Sequence, residues 1–140
     1  MILLDANVLL YAAGGDHPLR KPCQAIVAAL GSSAIEGAVT DVVLAEFLHA
    51  RSRRTSRREA TLLAASIIGL VSDVLAVTPA GRDRALEIYR GSERLSSNDA
   101  LIAAVALDIG ATLVSTDGDF QDVVGLDLVE PEALAAQLAA

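Results

Sequence analysis

One cysteine, no tryptophan, two tyrosines, two phenylalanines and two histidines are all that 140 residues supply of those types, and each shortage excludes something. The lone thiol, Cys23, can form no internal disulfide and no cysteine cluster for zinc. It is expected as inert core, and it suits a reducing cytoplasm. With only Tyr11, Phe47, Tyr89 and Phe120, extensive base stacking is excluded. Phe47 and Phe120 are expected in the core, and Tyr11 is the better candidate to line a site. His17 and His49 are far apart and belong to no ligand pattern such as HExxH, so both read as ordinary surface or supporting residues. No uncharged apolar run reaches ~18 residues, which argues against a membrane span. Met1–Leu4 lacks a basic start and is interrupted by Asp5, which argues against a secretory leader. There is no GxSxG elbow, phosphate-binding P-loop or GxGxxG fingerprint.

What is present is a chain that is 53% hydrophobic and 21% charged, a balance that favours a packed core over disorder. Its length suits one domain over residues 1–140. The net charge of −7 is unlike that of most phosphate binders. The distribution qualifies this, because five of the eleven basic residues fall between Arg51 and Arg58. A phosphate-binding protein that holds cations also needs acids at its centre.

Apolar runs bounded by turn residues alternate with helical patterns. Strands are expected at Ile2–Leu4, Gly37–Thr40, Val74–Val77, Thr112–Ser115 and Leu126–Val129. Helices are expected around Val8–Tyr11, from Leu19 to Leu30, and from Asp41 to about Ser52. A capping box at Ser56–Glu59 opens another, running to about Val71. Thr78–Pro79 starts the next. Ser97 is expected to cap a helix that Gly110 ends, and Pro131 opens a last, alanine-rich one. Strands separated by helices imply an α/β class, with a parallel sheet covered by helices on both faces.

The acids fall where such a sheet binds ligands. Asp5 follows the first strand, and Asp117 and Asp119 follow the strand at Leu113–Val114. Ligands sit beyond the carboxyl ends of parallel strands, so these acids are expected to share a crevice. Taken singly, Asp5 reads as a helix cap and Asp117–Asp119 as a polar turn. The turn is no calcium loop, because Gln121, Asp122 and Leu128 stand where that loop needs other residues. Glu46 is more telling. Val42, Val43 and Ala50 surround it at helical spacing, and an ionised carboxylate on an apolar face needs a cation or a donor. Asp99 opens a helix whose stretch Ala100–Leu107 is wholly apolar and therefore buried, so it should project into the fold. Carboxylates gathered in one crevice repel one another, and hard divalent cations relieve that repulsion. The same cations suit in-line hydrolysis of a phosphodiester.

Four segments together resemble the PIN-domain family. Leu3-Leu4-Asp5-Ala6-Asn7-Val8-Leu9 is similar to its opening signature, and Thr40 through Glu46 to its second acidic motif. Asn98-Asp99-Ala100-Leu101-Ile102-Ala103-Ala104 is similar to the third, and Leu113 through Phe120 to the last. Order and spacing match over nearly the whole chain, and the nearest subgroup is the VapC-type toxins of bacterial toxin–antitoxin pairs. The resemblance implies a PIN-like three-layer α/β/α fold with about five parallel strands, and a Mg²⁺- or Mn²⁺-dependent endoribonuclease. It also implies a homodimer silenced by a small cognate antitoxin. By position, Asp5, Glu46, Asp99 and Asp117 carry over as the catalytic and metal-holding acids, with Asp119 as a further metal ligand. Asn7 and Ser115 carry over as residues that orient carboxylates and water. Thr116 and Gly118 depart from the pattern, since many relatives place a basic or larger residue there. If the helix from Asp41 continues, Arg51, Arg54 and Arg58 share a face that suits an RNA backbone.

Two other functions compete. An aspartate-nucleophile phosphatase also places Asp after the first strand, but it wants a second Asp where Asn7 stands. A catalytically silent PIN-like module would act only through a protein partner, but such a module should have lost at least one acid.

Overall fold

Ile2, Leu3 and Leu4 are apolar at consecutive positions, so both sides of this segment need cover, as at the centre of a parallel sheet. In the computed structural model, which describes all of residues 1–140, this segment is the middle strand β1 (Ile2–Leu4). The other strands are β2 (Gly37–Thr40), β3 (Asp73–Leu75), β4 (Thr112–Val114) and β5 (Asp127–Val129). They form one sheet in the order β3-β2-β1-β4-β5, and every neighbouring pair is parallel. Leu3 pairs with Ala38 on one side and Leu113 on the other.

The helices are α1 (Ala6–Ala13), α2 (Arg20–Gly31), α3 (Asp41–Arg54), α4 (Arg57–Leu70), α5 (Pro79–Gly91), α6 (Ser97–Ile109) and α7 (Pro131–Ala139). From β1 the chain steps outward to β2 and β3, then returns across the sheet to β4. Crossovers are right-handed, so reversing direction moves the helices to the other face. Accordingly α5 packs on α6, while α1, α2, α3, α4 and α7 pack among themselves. The result is the three-layer α/β/α arrangement. The core runs through Leu3, Leu4, Val8, Ile26, Phe47, Ile102, Leu113 and Phe120, all fully enclosed. No helix is long and apolar enough to cross a membrane.

Several boundaries differ from expectation for local reasons. Ser96, not Ser97, caps α6. Its backbone is extended, and its Oγ accepts a hydrogen bond from the Asp99 amide at 3.1 Å. Only Ser96 stands three residues before an amide that needs a partner. The capping box at Ser56 is half made. Ser56 Oγ accepts from the Glu59 amide at 3.0 Å, but the Glu59 carboxylate turns instead to Arg51 and Thr55. β3 is Asp73–Leu75, a short edge strand that starts one residue earlier and ends two residues sooner than the apolar run suggests. Gly110 ends α6 with φ of +64°, the left-handed conformation that a C-terminal glycine supplies without strain.

Candidate active site

Strand order reverses at β1, with β2 on one side and β4 on the other. The crevice beyond the carboxyl ends of β1 and β4 is where such a sheet takes ligands. Asp5 leaves β1 there, and its amide donates to Val114 O at 3.0 Å, tying the two strand ends together. Asp5 does cap α1, because its Oδ1 accepts from the Ala6 amide at 2.8 Å. Yet it is only 3% exposed, unlike an ordinary cap. Its Oδ2 accepts from Ser115 Oγ at 2.6 Å and Asn7 Nδ2 at 3.1 Å. Ser115 Oγ accepts in turn from Asn7 Nδ2 at 3.4 Å and from the Asp117 amide at 3.0 Å. Asn7 Oδ1 accepts from the Thr116 amide at 3.4 Å. Asn7 and Ser115 therefore fix the Asp5 carboxylate and the start of the turn after β4 in one network.

Glu46 enters from α3 and Asp99 from the first turn of α6. One carboxylate oxygen from each of Asp5, Glu46 and Asp99 lies within 4.8 Å of the others. None of the three forms an ion pair with Arg, Lys or His. Burial, opposed by bonds from Ser115, Ala6 and Asn7, pushes the Asp5 carboxyl above its ordinary value. Burial and the Asp5 charge do the same to Glu46, and the Asn98 amide partly offsets the shift. Asp99 is pushed furthest, to about 7, by burial and then by Asp5, with Glu46 and Asp117 adding repulsion. Three half- to fully buried acids at this spacing, each keeping its proton above the ordinary range and none paired with a basic side chain, are an oxygen donor set that fits a hard divalent cation.

Asp117 stands at the rim, where it caps a short 3-10 turn (Gly118–Asp122) by accepting from the Asp119 amide at 2.9 Å. It faces the cluster closely enough for its charge to act on both Asp5 and Asp99. Asp119 lies outside the cluster, and its Oδ1 is 3.5 Å from Arg94 Nη1. The structure thus gathers Asp5, Glu46 and Asp99, sets Asp117 beside them, and turns Asp119 toward Arg94. Sequence reasoning overlooked two residues here. Asn98 had a signal, since a polar amide immediately before Asp99 opens an otherwise apolar helix. Arg94 had none, because its partners are 25 and 28 positions away along the chain.

The arginine face does not form. Helix α3 stops at Arg54, Thr55 and Ser56 break the chain direction, and Arg58 belongs to α4. Arg51 is committed to Glu59 through Nε and Nη2, the latter at 2.8 Å. Arg53, Arg54, Arg57 and Arg58 are exposed and make no ion pair. Tyr11 stacks on His17 with ring centroids 4.4 Å apart. Cys23 is buried, and burial raises its thiol to about 11, so it is inert. Phe47 and Phe120 are core.

The PIN-domain family model matches residues 2–126, nearly the whole chain. The chain belongs to the PIN-domain family. Among relatives, Ribonuclease VapC7 of Mycobacterium tuberculosis is 39% identical over 135 residues, covering 95% of this chain and 93% of that protein. Ribonuclease VapC13 of the same organism is 35% identical over 132 residues, covering 90% and 97%. In three dimensions the chain is similar to VapC20 of M. tuberculosis, a sarcin-ricin loop cleaving toxin. Their TM-score is 0.71 at 25% identity, over 86% of this chain and 93% of that one. VapBC2 from Rickettsia felis, solved bound to a promoter DNA fragment, shares the fold. Its TM-score is 0.74 at 22% identity, over 93% and 98% of the two chains. Within the PIN family this chain groups with the VapC-type proteins, and it is a hydrolase of the nuclease class.

Proposed function

We propose that this PIN-domain protein is a Mg²⁺- or Mn²⁺-dependent endoribonuclease and the toxin of a toxin–antitoxin pair, with residues 1–140 acting as one domain. The observation that carries the reading is the oxygen cluster of Asp5, Glu46 and Asp99 within 4.8 Å, with no basic side chain paired to any of the three. In this reading Asp5, Glu46 and Asp99 hold the metal and Asp117 completes the site from the rim. Asp119, engaged by Arg94, acts in holding the turn rather than as a ligand. A bound divalent ion would supply Lewis acidity toward the phosphate and lower the pKa of the attacking water.

The chain's own groups do the rest. Ser115 and Asn7 hold Asp5 in one orientation by donating to the same oxygen, so its free lone pairs keep a fixed direction. Asp99, its proton bound up to about pH 7, becomes fully available as an oxygen donor only near or above neutrality or when a cation displaces the proton. Water is the nucleophile, so the 2′-hydroxyl need not attack, and the expected ends are 5′-phosphate and 3′-hydroxyl. The exposed arginines offer the RNA backbone a route to the site. Residues Glu46, His49 and Arg53 recur at helical spacing on α3, and a cleft lined by His49, Ser52, Arg57 and Thr61 borders that face. Of the arginines first considered, Arg54 and Arg58 stay available for phosphate, whereas Arg51 does not.

The relatives named VapC and the solved VapBC assembly support a small cognate antitoxin, and the cytoplasm is where both RNA and that partner would be met. A guanidinium from the partner would neutralise and bridge the same carboxylates through directed hydrogen bonds. Exposed Leu86 and Tyr89, one turn apart on α5, support a homodimer. The test is Asp99→Asn, which keeps size and removes charge. Cleavage of single-stranded RNA should fall by orders of magnitude in a protein that still folds. Unchanged cleavage would overturn the site, and a wild-type chain that cleaves nothing with either metal would favour the silent module.

A further inference from the structure

Asp117 stands at the rim of the cluster, close enough for its charge to act on Asp5 and Asp99, and it rides on a short turn rather than on a strand or a long helix. Something must hold that turn against the crevice. From the inside, Phe120 does so as a fully enclosed core residue. From the outside the turn is gripped by Arg94, whose Nη2 donates to Asp122 Oδ1 at 2.7 Å and whose Nε reaches Asp122 Oδ2 at 3.3 Å. Its Nη1 lies 3.5 Å from Asp119 Oδ1.

Arg94 belongs to the segment between α5 and α6. Ser92, which ends α5, donates from Oγ to Asp122 Oδ2 at 2.9 Å and accepts from the Arg94 and Leu95 amides at 3.3 and 3.1 Å. Leu95 is buried, and two and three residues beyond Ser96 the chain reaches Asn98 and Asp99. One guanidinium thus joins the turn that bears Asp117 to the segment that launches Asp99. A planar fork can hold two carboxylates at once, which an ammonium cannot do with the same geometry.

We propose that Arg94 is a positioning residue: by pinning the 118–122 turn to the start of α6 it sets how Asp117 stands at the rim of the Asp5, Glu46 and Asp99 cluster that would hold a divalent cation. This rests on the metal-dependent reading above. Arg94 touches neither the cluster of three acids nor the reacting phosphate, and it acts through Asp119 and Asp122. It also explains why Asp119 is not part of the cluster, since its charge is already matched.

The test compares Arg94→Gln, Arg94→Lys, Asp122→Asn and the double variant R94Q/D122N in the full chain. Mn²⁺ affinity is read by electron paramagnetic resonance without RNA, and amide exchange is followed over residues 117–122. Steady-state kinetics are then measured with single-stranded RNA. R94Q should weaken Mn²⁺ binding about tenfold and lower kcat about tenfold or more, with little change in KM for RNA and faster exchange in the turn. D122N should do the same, because it breaks the same link, and the double variant should be no worse than either single one. R94K should recover only part of the loss.

Other results would overturn the proposal. R94Q that raises KM for RNA while leaving Mn²⁺ affinity and the turn unchanged would make Arg94 a phosphate contact. R94Q that tightens Mn²⁺ binding, or D122N that leaves it intact while R94Q weakens it, would mean that Arg94 acts by charge alone. Wild-type protein that binds no Mn²⁺ would instead overturn the metal reading itself, and normal Mn²⁺ binding in every variant would overturn the positioning role alone.

Discussion

At the scale of single residues, burial and three neighbouring carboxylates hold the Asp99 proton up to about pH 7. The consequence for stability has a definite sign. Its ordinary value is 3.8, so between about 4 and about 7 the folded chain keeps a proton that the unfolded chain has released. Without metal, stability should therefore fall as pH rises through that window, and the penalty is complete above it. Asp99→Asn has nothing to ionise. In chelator at pH 8 it should be more stable than the wild type by on the order of 1–2 kcal/mol, after allowing for solvent screening of a half-exposed group. Urea denaturation at pH 8 and pH 5 checks this, and equal differences at both values would contradict it. Ser115 offers a second test. Its hydroxyl donates to Asp5 and accepts from the Asp117 amide, so Ser115→Ala should weaken Mn²⁺ binding about 10- to 100-fold. Calorimetric titration would show it, and an unchanged affinity would remove Ser115 from the network. Asp5 was legible because it follows an apolar strand, and Glu46 because it interrupts an apolar helical face. Arg94 was not, since only folding brings it to Asp119 and Asp122.

At the scale of elements, capping chemistry located the starts of α4 and α5. Ser56 and Thr78 each accept from an amide three residues on, as their positions before helical runs suggest, and Thr40, read only as the end of a strand, does the same for α3. The exception is instructive. Ser96 and Ser97 are chemically alike, and only the extended backbone of Ser96 decides between them. Ser96→Ala should cost about 1 kcal/mol, and Ser97→Ala about 0.5 kcal/mol or less. Denaturant midpoints of the two variants separate the assignments, and a larger loss in S97A would restore the cap to Ser97. The shared arginine face was conditional on the helix from Asp41 continuing, and the break expected between Ser52 and Ser56 is what forms: Thr55 Oγ1 bonds back to Arg51 O at 3.0 Å and the helix ends at Arg54. Which arginine finds an acid is likewise a tertiary fact, since Arg51 meets Glu59 only because α4 folds back on α3.

At the scale of the whole molecule, the alternation of strands and helices was enough to imply a parallel α/β sheet. The order β3-β2-β1-β4-β5 depends on long-range pairing that no local pattern encodes. That order is what matters for function, because it places the ends of β1 and β4 side by side and brings α3 and α6 together above them. The net charge of −7 then reads as a division of labour. Asp5, Glu46, Asp99 and Asp117 gather in and around the crevice, while five arginines lie on the α3–α4 hairpin. The central claim is that this crevice works through a divalent cation. The most direct test strips the purified chain with chelator, adds back Mn²⁺ or Mg²⁺, and maps the ends of a cleaved single-stranded RNA. No cleavage is expected in chelator, with recovery on adding back either ion and 5′-phosphate with 3′-hydroxyl ends. Cleavage that persists in chelator, or products ending in 2′,3′-cyclic phosphate, would contradict the claim.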